Sequence, residues 1–258
     1  MKLTGNTIFI TGGTSGIGRG LAEALHKLGN QVIISGRRTV LLDEVTGANP
    51  GMAAIPLDVT SLASIQGAAD ELTQRFPDLN VVFNNAGFMP FDDVSRPVED
   101  NLAQELIATN LLGPIRVTSA LIEHLKTKAQ ATVLYTSSVL AYVPIASNAI
   151  YSATKAALHS YALSQRFQLR GTGVRVQEIA PPWVDTDLIY KSGDKSGDPR
   201  AMPLPDFIEQ TLVALATDAS EVIVDAIRSM RDNPGANEHA LVEDFNQSLV
   251  ENPIPTGF

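Results

Sequence analysis

The feature that most constrains this chain is an alternation. Short apolar runs, rich in β-branched residues, take turns with longer amphipathic stretches. The runs are Thr7–Ile10, Gln31–Ile34, Ala53–Leu57, Val81–Phe83, Thr132–Tyr135 and Val174–Ile179, with helical patterns at 16–29, 38–46, 61–76, 98–127 and 150–171 between them. Near-continuous apolar strands need both sheet faces covered. Strand and helix in alternation imply right-handed βαβ units around a parallel sheet. The expected fold is α/β, a doubly wound parallel sheet of Rossmann type with helices on both faces. The pattern runs from residue 6 to about 180, and residues 1–258 are read as a single domain. Residues 183–202, with Gly193, Gly197 and Pro199, read as a long loop next to the ligand; unstructured loops of that length usually have a function or are disordered. A helical segment over 203–258 follows, with helices at 205–217 and 238–250 and a short strand near Val222–Val224.

Composition narrows the function. Of 258 residues, 44% are hydrophobic and 18% charged, enough apolar material for a core. No apolar run approaches the ~20 residues of a membrane span, and Met1–Asn6 turns polar without a signal core. A cytoplasmic protein with no membrane partner is expected. There are no cysteines, which excludes disulfides, thiolate nucleophiles and zinc-cysteine sites. A formal charge of −9 argues against nucleic acid as a partner. His26, His124, His159 and His239 are scattered without ligand spacing, so no metal is expected. His159, four residues past Lys155, reads as a packed helix residue.

The first strand runs directly into Thr11-Gly12-Gly13-Thr14-Ser15-Gly16-Ile17-Gly18. Glycines allow a tight turn and close approach of backbone N–H groups to a pyrophosphate, while the next helix offers its N-terminal donors. The placement between strand and helix raises this above a bare glycine triplet. The second strand ends Ser35-Gly36-Arg37-Arg38, where an NAD site usually carries an acidic residue. A guanidinium suits a 2′-phosphate, so NADP(H) is favoured over NAD(H). The alternative is that Arg37 and Arg38 simply begin a solvated helix. Asp58, followed by Val59, can accept from an adenine amino group or cap the helix beginning near Ser61.

Of five tyrosines only Tyr151 has a lysine four residues later, Lys155. That spacing puts both on one helix face, where an ammonium is expected to lower the phenol pKa and make it a usable acid or base. Ser137-Ser138 and Asn84-Asn85-Ala86-Gly87 end predicted strands at the ligand edge of the sheet. No residue between Lys128 and Lys155 carries a formal charge, which suggests a desolvated site; a buried strand and neutral loop would look the same.

Together these motifs resemble the short-chain dehydrogenase/reductase family over residues 4 to about 188. The resemblance implies that Tyr151 is the general acid in carbonyl reduction. Ser138, thirteen residues before it, holds the substrate oxygen, and Lys155 acts on the tyrosine and the nicotinamide ribose. It implies that Asn110 holds a water next to Lys155, that Asn85, Ala86 and Gly87 line the cofactor cleft, and that Pro181, Val184 and Thr186 flank the carboxamide. Pro181-Pro182-Trp183 departs from the family's usual Pro-Gly, and the second proline stiffens the turn. Trp183 falls at the expected pocket mouth, as a substrate contact or as loop packing. Asp92-Asp93 and Glu99-Asp100 read as solvated faces or helix starts. The C-terminal part resembles a bacterial branch named for its gene's proximity to teichoic-acid D-alanylation genes. The resulting expectation is an NADPH-dependent carbonyl reductase or alcohol dehydrogenase acting on a moderately hydrophobic ketone, aldehyde or secondary alcohol. A homo-oligomer, dimer or tetramer, is expected through the helices at 98–127 and 150–171. The alternative is a dinucleotide-sensing protein without catalysis.

Overall fold

In the computed structural model the described residues are 1–186, 188, 198–232, 235 and 238–252. Within them, strands β1 (Thr7–Thr11), β2 (Gln31–Gly36), β3 (Ala53–Pro56), β4 (Leu79–Asn84), β5 (Ala131–Thr136), β6 (Val174–Ile179) and β7 (Glu221–Val222) form one parallel sheet. Its order is β3-β2-β1-β4-β5-β6-β7. The strand order reverses between β1 and β4, and the crevice above that point is where doubly wound sheets hold ligands.

Side chains on each strand alternate between two cores. Ile8 and Ile10 of β1 face the side covered by α1 (Gly16–Lys27), α2 (Thr39–Ala48) and α7 (Leu204–Leu215). Phe9 faces the side covered by α3 (Leu62–Arg75), α5 (Gly113–Lys126) and α6 (Ala149–Gln168). Phe207 is fully buried on the inner face of α7; truncating a side chain like this to alanine costs about 3–5 kcal/mol.

The single helix expected over 98–127 is interrupted. α4 (Asp100–Ile107) passes into a π-helical turn, Ala108–Leu112, before α5 begins. Pro114 has no N–H to return to Asn110, so the regular ladder cannot continue there. Asn110 is meanwhile pinned sideways: its Oδ1 accepts from Phe88 N at 3.1 Å and its Nδ2 donates to Phe88 O at 2.9 Å. At the C-terminal end β7 is shorter than expected, and the short α8 (Arg228–Asp232), which the sequence did not announce, precedes α9 (Glu238–Glu251).

Candidate active site

The turn after β1 is built around close approach. Gly12 has φ of 68°, and a Cβ on it would sit 2.8 Å from the Ala86 Cα. A Cβ on Gly18 would run into the Gly12 carbonyl oxygen and the Asn85 amide. The end of β4 is tied to the same turn, because Asn85 N and Ala86 N donate to Thr11 Oγ1 at 3.0 and 3.1 Å. Asn85 Nδ2 reaches Thr11 O and Gly12 O, and its Oδ1 accepts from Thr136 Oγ1 at 3.3 Å. Asn85 thus joins the ends of three strands. The first residues of α1, Gly16 and Ile17, line with this turn a cleft of about 1380 Å³.

Thr14, Ser15, Gly16, Ile17, Gly36, Arg37, Arg38, Asp58 and Val59 line one end of that cleft. Arg37 and Arg38 are exposed, and Arg38 Nη2 donates to Thr14 Oγ1 at 3.5 Å. Arg38 also occupies the position before α2, so the cleft and the helix-start readings fall on the same residue. Asp58 does not cap α3: Ser61 does, accepting from Ser64 N at 3.3 Å. Asp58 instead closes its own turn. The hydroxyl and N–H of Thr60 donate to its Oδ1 at 2.7 and 2.9 Å and, with nearby Arg37, hold its carboxyl below the usual range. Arg19, which the sequence reading passed over, lines this end too, paired to Glu23 and Glu44.

Ser138 at the end of β5, and Tyr151 and Lys155 on α6, line the same cleft. Both α6 residues are almost completely buried, at 6% and 3% exposure. Ser137 lines the cleft as well, but its hydroxyl is bonded to Ile179 O at 3.4 Å. The expected lowering of the Tyr151 pKa is corrected here: burial pushes the phenol well above its ordinary value, and facing Ser138 pulls it only partly back. The lysine is engaged elsewhere, donating from Nζ to Thr136 O at 2.7 Å. Burial pushes its own pKa down to about 8, against an upward pull from Glu178. Asn110 does not line the cleft with them. Its amide is spent on the Phe88 backbone, beneath Gly87, whose Cβ would lie 3.1 Å from Asn110 Oδ1 and 3.8 Å from Lys155 Nζ.

The segment after the double proline reaches the cleft. Pro181 O accepts from Val139 N at 3.0 Å, Val184 bridges to Met202, and Thr186 stands beside Gly16. Trp183 reaches the cleft with Arg200 over its ring at 5.2 Å, and its buried indole N–H finds no acceptor among the described residues. Asp187, Ile189, Tyr190, Gly193 and Gly197, part of the expected loop, lie outside the described residues.

Two contributions went unread in the sequence. Phe245, Ser248 and Leu249, with Asn252 just past the helix, bring α9 to the cleft, and Asn246 latches it by donating to Pro144 O at 3.0 Å. Behind α6, ligand atoms of His159, Glu178 and Glu221 lie within 4.8 Å of one another. Tyr142 and Arg231 also bond these carboxylates, which makes the cluster an ion-pair network. Residues this far apart in sequence carry no local signal of meeting.

The family model for short chain dehydrogenases matches residues 6–197. The chain belongs to the short-chain dehydrogenase/reductase family. It is 36% identical over 248 residues to the uncharacterized oxidoreductase DltE of Bacillus subtilis, covering 95% of this chain and 98% of that one. An alcohol dehydrogenase from Thermococcus sibiricus, complexed with 5-hydroxy-NADP, superposes with a TM-score of 0.74 at 26% identity, over 85% of this chain and 95% of that one. A short chain dehydrogenase/reductase from Burkholderia phymatum, in complex with NAD, gives 0.78 at 18% identity, over 100% and 98%. That last likeness is one of fold. No helix among the described residues is long and apolar enough to cross a membrane.

Proposed function

We propose that this oxidoreductase is an NADPH-dependent carbonyl reductase, run in reverse as an alcohol dehydrogenase, for a moderately hydrophobic ketone or aldehyde. The observation that carries the reading is the convergence of Ser138, Tyr151 and Lys155 on one cleft that continues into the glycine turn. The cradle at Gly12 and Gly18, which a side chain would fill, fits a dinucleotide pyrophosphate. A reduced nicotinamide held there would supply a hydride to the carbonyl carbon. As that C–H bond forms, the C=O π pair moves onto oxygen, held by the Ser138 hydroxyl, and the oxygen takes the proton of Tyr151. A phenol whose pKa is raised keeps its proton at neutral pH, the state that reduction requires. Lys155, lining the same cleft, would hold the nicotinamide ribose, and its ammonium would offset the negative charge left on the phenol.

Preference for NADPH rests on Arg37 and Arg38 beside Gly36, with no carboxylate at that strand end to repel a 2′-phosphate. Substrate character rests on the opposite end of the cleft, walled by Phe88, Phe91, Leu140, Ile145, Phe245 and Leu249. Leu163 and Phe167 stand exposed on the outer face of α6, at 45% and 65%, and are the apolar surface that a dimer or tetramer would cover. The test is a panel of aliphatic and aromatic ketones and aldehydes, with NADPH and NADH run separately. Turnover confined to hydrophobic carbonyls with NADPH is expected. No turnover of any carbonyl, with NADPH bound, overturns the reading in favour of a dinucleotide sensor.

A further inference from the structure

The cleft-lining residues of α9 form a helical stripe. Phe245, Ser248 and Leu249 stand at i, i+3 and i+4, with Asn252 at i+7 just past the helix, so they share one face and that face lines the cleft. Phe245 and Leu249 are only half-buried and belong to neither of the two cores that cover the sheet. An apolar stripe ordinarily docks a helix onto its core; here it is given to the cleft. Polar bonds fix the helix instead. At its middle the Asn246 amide straddles Ile145: Nδ2 donates to Pro144 O at 3.0 Å, and Oδ1 accepts from Ala146 N. Ile145 is itself a buried cleft residue, on the segment that joins Ser138 to Tyr151. At the end of α9, Arg200 Nη1 donates to Asn252 O at 2.5 Å. The Nε and Nη2 of Arg200 donate to the Asp198 carboxylate at 2.9 and 2.7 Å, and its guanidinium lies over Trp183. The helix is therefore tied to the cleft wall on the Pro144 side and on the Trp183 side.

We propose that Phe245 and Leu249 are specificity-determining residues: they close the apolar end of the cleft and set the length of the carbonyl substituent it accepts. Asn246 is the positioning residue that holds them at that distance. The inference rests on the reductase reading and narrows its substrate class to hydrophobic carbonyls of bounded chain length. With the carbonyl oxygen held by Ser138 and Tyr151, a substituent runs past Leu140 and Ile145 toward α9. Each methylene that fits short of the wall leaves water, which tightens binding roughly fourfold. A methylene beyond it must displace a helix tied at both ends or crowd the wall, and overpacking of this kind is unfavourable. Affinity then rises with chain length and stops at α9.

The test is a ladder of unbranched methyl ketones, from 2-butanone to 2-nonanone, titrated calorimetrically into protein saturated with NADP+. The oxidised cofactor has no hydride to give, so binding is read without turnover. Wild-type affinity is expected to rise roughly fourfold per methylene and then level off. Phe245→Ala and Leu249→Ala are expected to move the levelling-off to longer ketones, and Leu249→Phe to shorter ones. Opposite shifts from removing and adding bulk mark a wall rather than a general loosening. Asn246→Ala is expected to flatten the ladder, weakening the longest ketones most, while NADPH affinity holds. Val250→Ala, on the outer side of α9 at 71% exposure, is the control and leaves the ladder where it is. A levelling-off unmoved by the Phe245 and Leu249 substitutions, in protein of unchanged circular dichroism, overturns the proposal, as does wild-type affinity that is independent of chain length. Should an alanine variant not fold, Phe245→Leu trims the ring within an apolar side chain, and an unmoved ladder there has the same force. Ketones that bind in the expected ladder but are not reduced with NADPH fail the reductase reading alone; ketones that are reduced without the shifts fail this inference alone.

Discussion

The ammonium of Lys155 lies over the ring of Tyr151, 5.4 Å from its centroid, rather than against its hydroxyl. The helical spacing brought the pair onto one face, as a four-residue separation must, but the polar neighbour of the phenol oxygen is Ser138. Tyr151 lines the cleft with a phenol whose pKa burial raises, the state in which the proposed function uses it as a proton donor.

Deleting that donor isolates the proton step. Tyr151→Phe keeps the ring, its burial and the lysine above it. Carbonyl reduction is expected to fall roughly 10²- to 10⁴-fold, the usual contribution of a positioned general acid. NADPH affinity, measured by fluorescence, is expected to stay within a factor of two or so, since the ring does not bond the glycine turn. Turnover at the wild-type rate would remove Tyr151 from the reaction.

Lys155 makes a prediction with two opposite signs. Its pKa is about 8 in the fold and 10.5 unfolded. Between those values the unfolded chain holds more protons at this site, so the residue's contribution to stability rises with pH. Below about pH 8 both states are charged and its burial penalty is fully expressed. Cofactor attraction runs the other way, as the ammonium is lost with rising pH through about 8. Denaturant unfolding of wild type and Lys155→Met, compared from pH 7 to 10, is expected to give a difference in stability that grows in favour of the wild type while its NADPH affinity falls. A flat difference would mean that the lysine is not buried at a cost.

In the proposed reading, Arg37 is the residue that selects NADPH. Arg37→Asp is expected to weaken NADPH by roughly 10- to 100-fold, the equivalent of losing one charge-assisted contact. NADH, with a hydroxyl in place of the phosphate, is expected to change little or to bind more tightly. The paired titrations check it, and equal loss for both would move the 2′-phosphate away from Arg37.

What could be read in the chain and what could not divide along sequence distance. The turn at Gly12–Gly18 and the pair Tyr151–Lys155 are local patterns, fixed by backbone sterics and helical pitch, and the alternation of runs fixed the sheet. The register of Ile8, Phe9 and Ile10 against Val32, Ile33 and Ile34 came only with the structure, because two near-continuous apolar runs do not choose one. Burial is not local. The sign of the Tyr151 pKa depends on what surrounds the hydroxyl, and four-residue spacing is silent on that. Asn246 on Pro144, and Glu178 between His159 and Tyr142, meet only because α9 and β6 pack where they do. The π-helical turn at Asn110 had one visible cause, Pro114, and one hidden cause, the Phe88 backbone.

Asp92 supplies the last case. The sequence leaves it as a solvated face or a helix start, and it is the start of a distant helix. Its Oδ1 accepts from Ala149 N and its Oδ2 from Ile150 N, each at 2.9 Å, across more than fifty residues of chain. These are the first N–H groups of α6, otherwise without partners, and a carboxylate there also meets the positive end of the helix dipole. Tyr151 is the next residue, so the cap fixes the turn that aims the phenol. Asp92→Ala is expected to cost about 1 kcal/mol, the usual worth of a cap, lowering the melting temperature by roughly 2–4 °C. Turnover number is expected to fall more than cofactor affinity, because the glycine turn is untouched. Asp93, exposed and bonded to Ser95, is the control, and Asp93→Ala is expected to change stability by less than about 0.5 kcal/mol. Equal effects from the two substitutions would show that Asp92 does no more than a surface carboxylate.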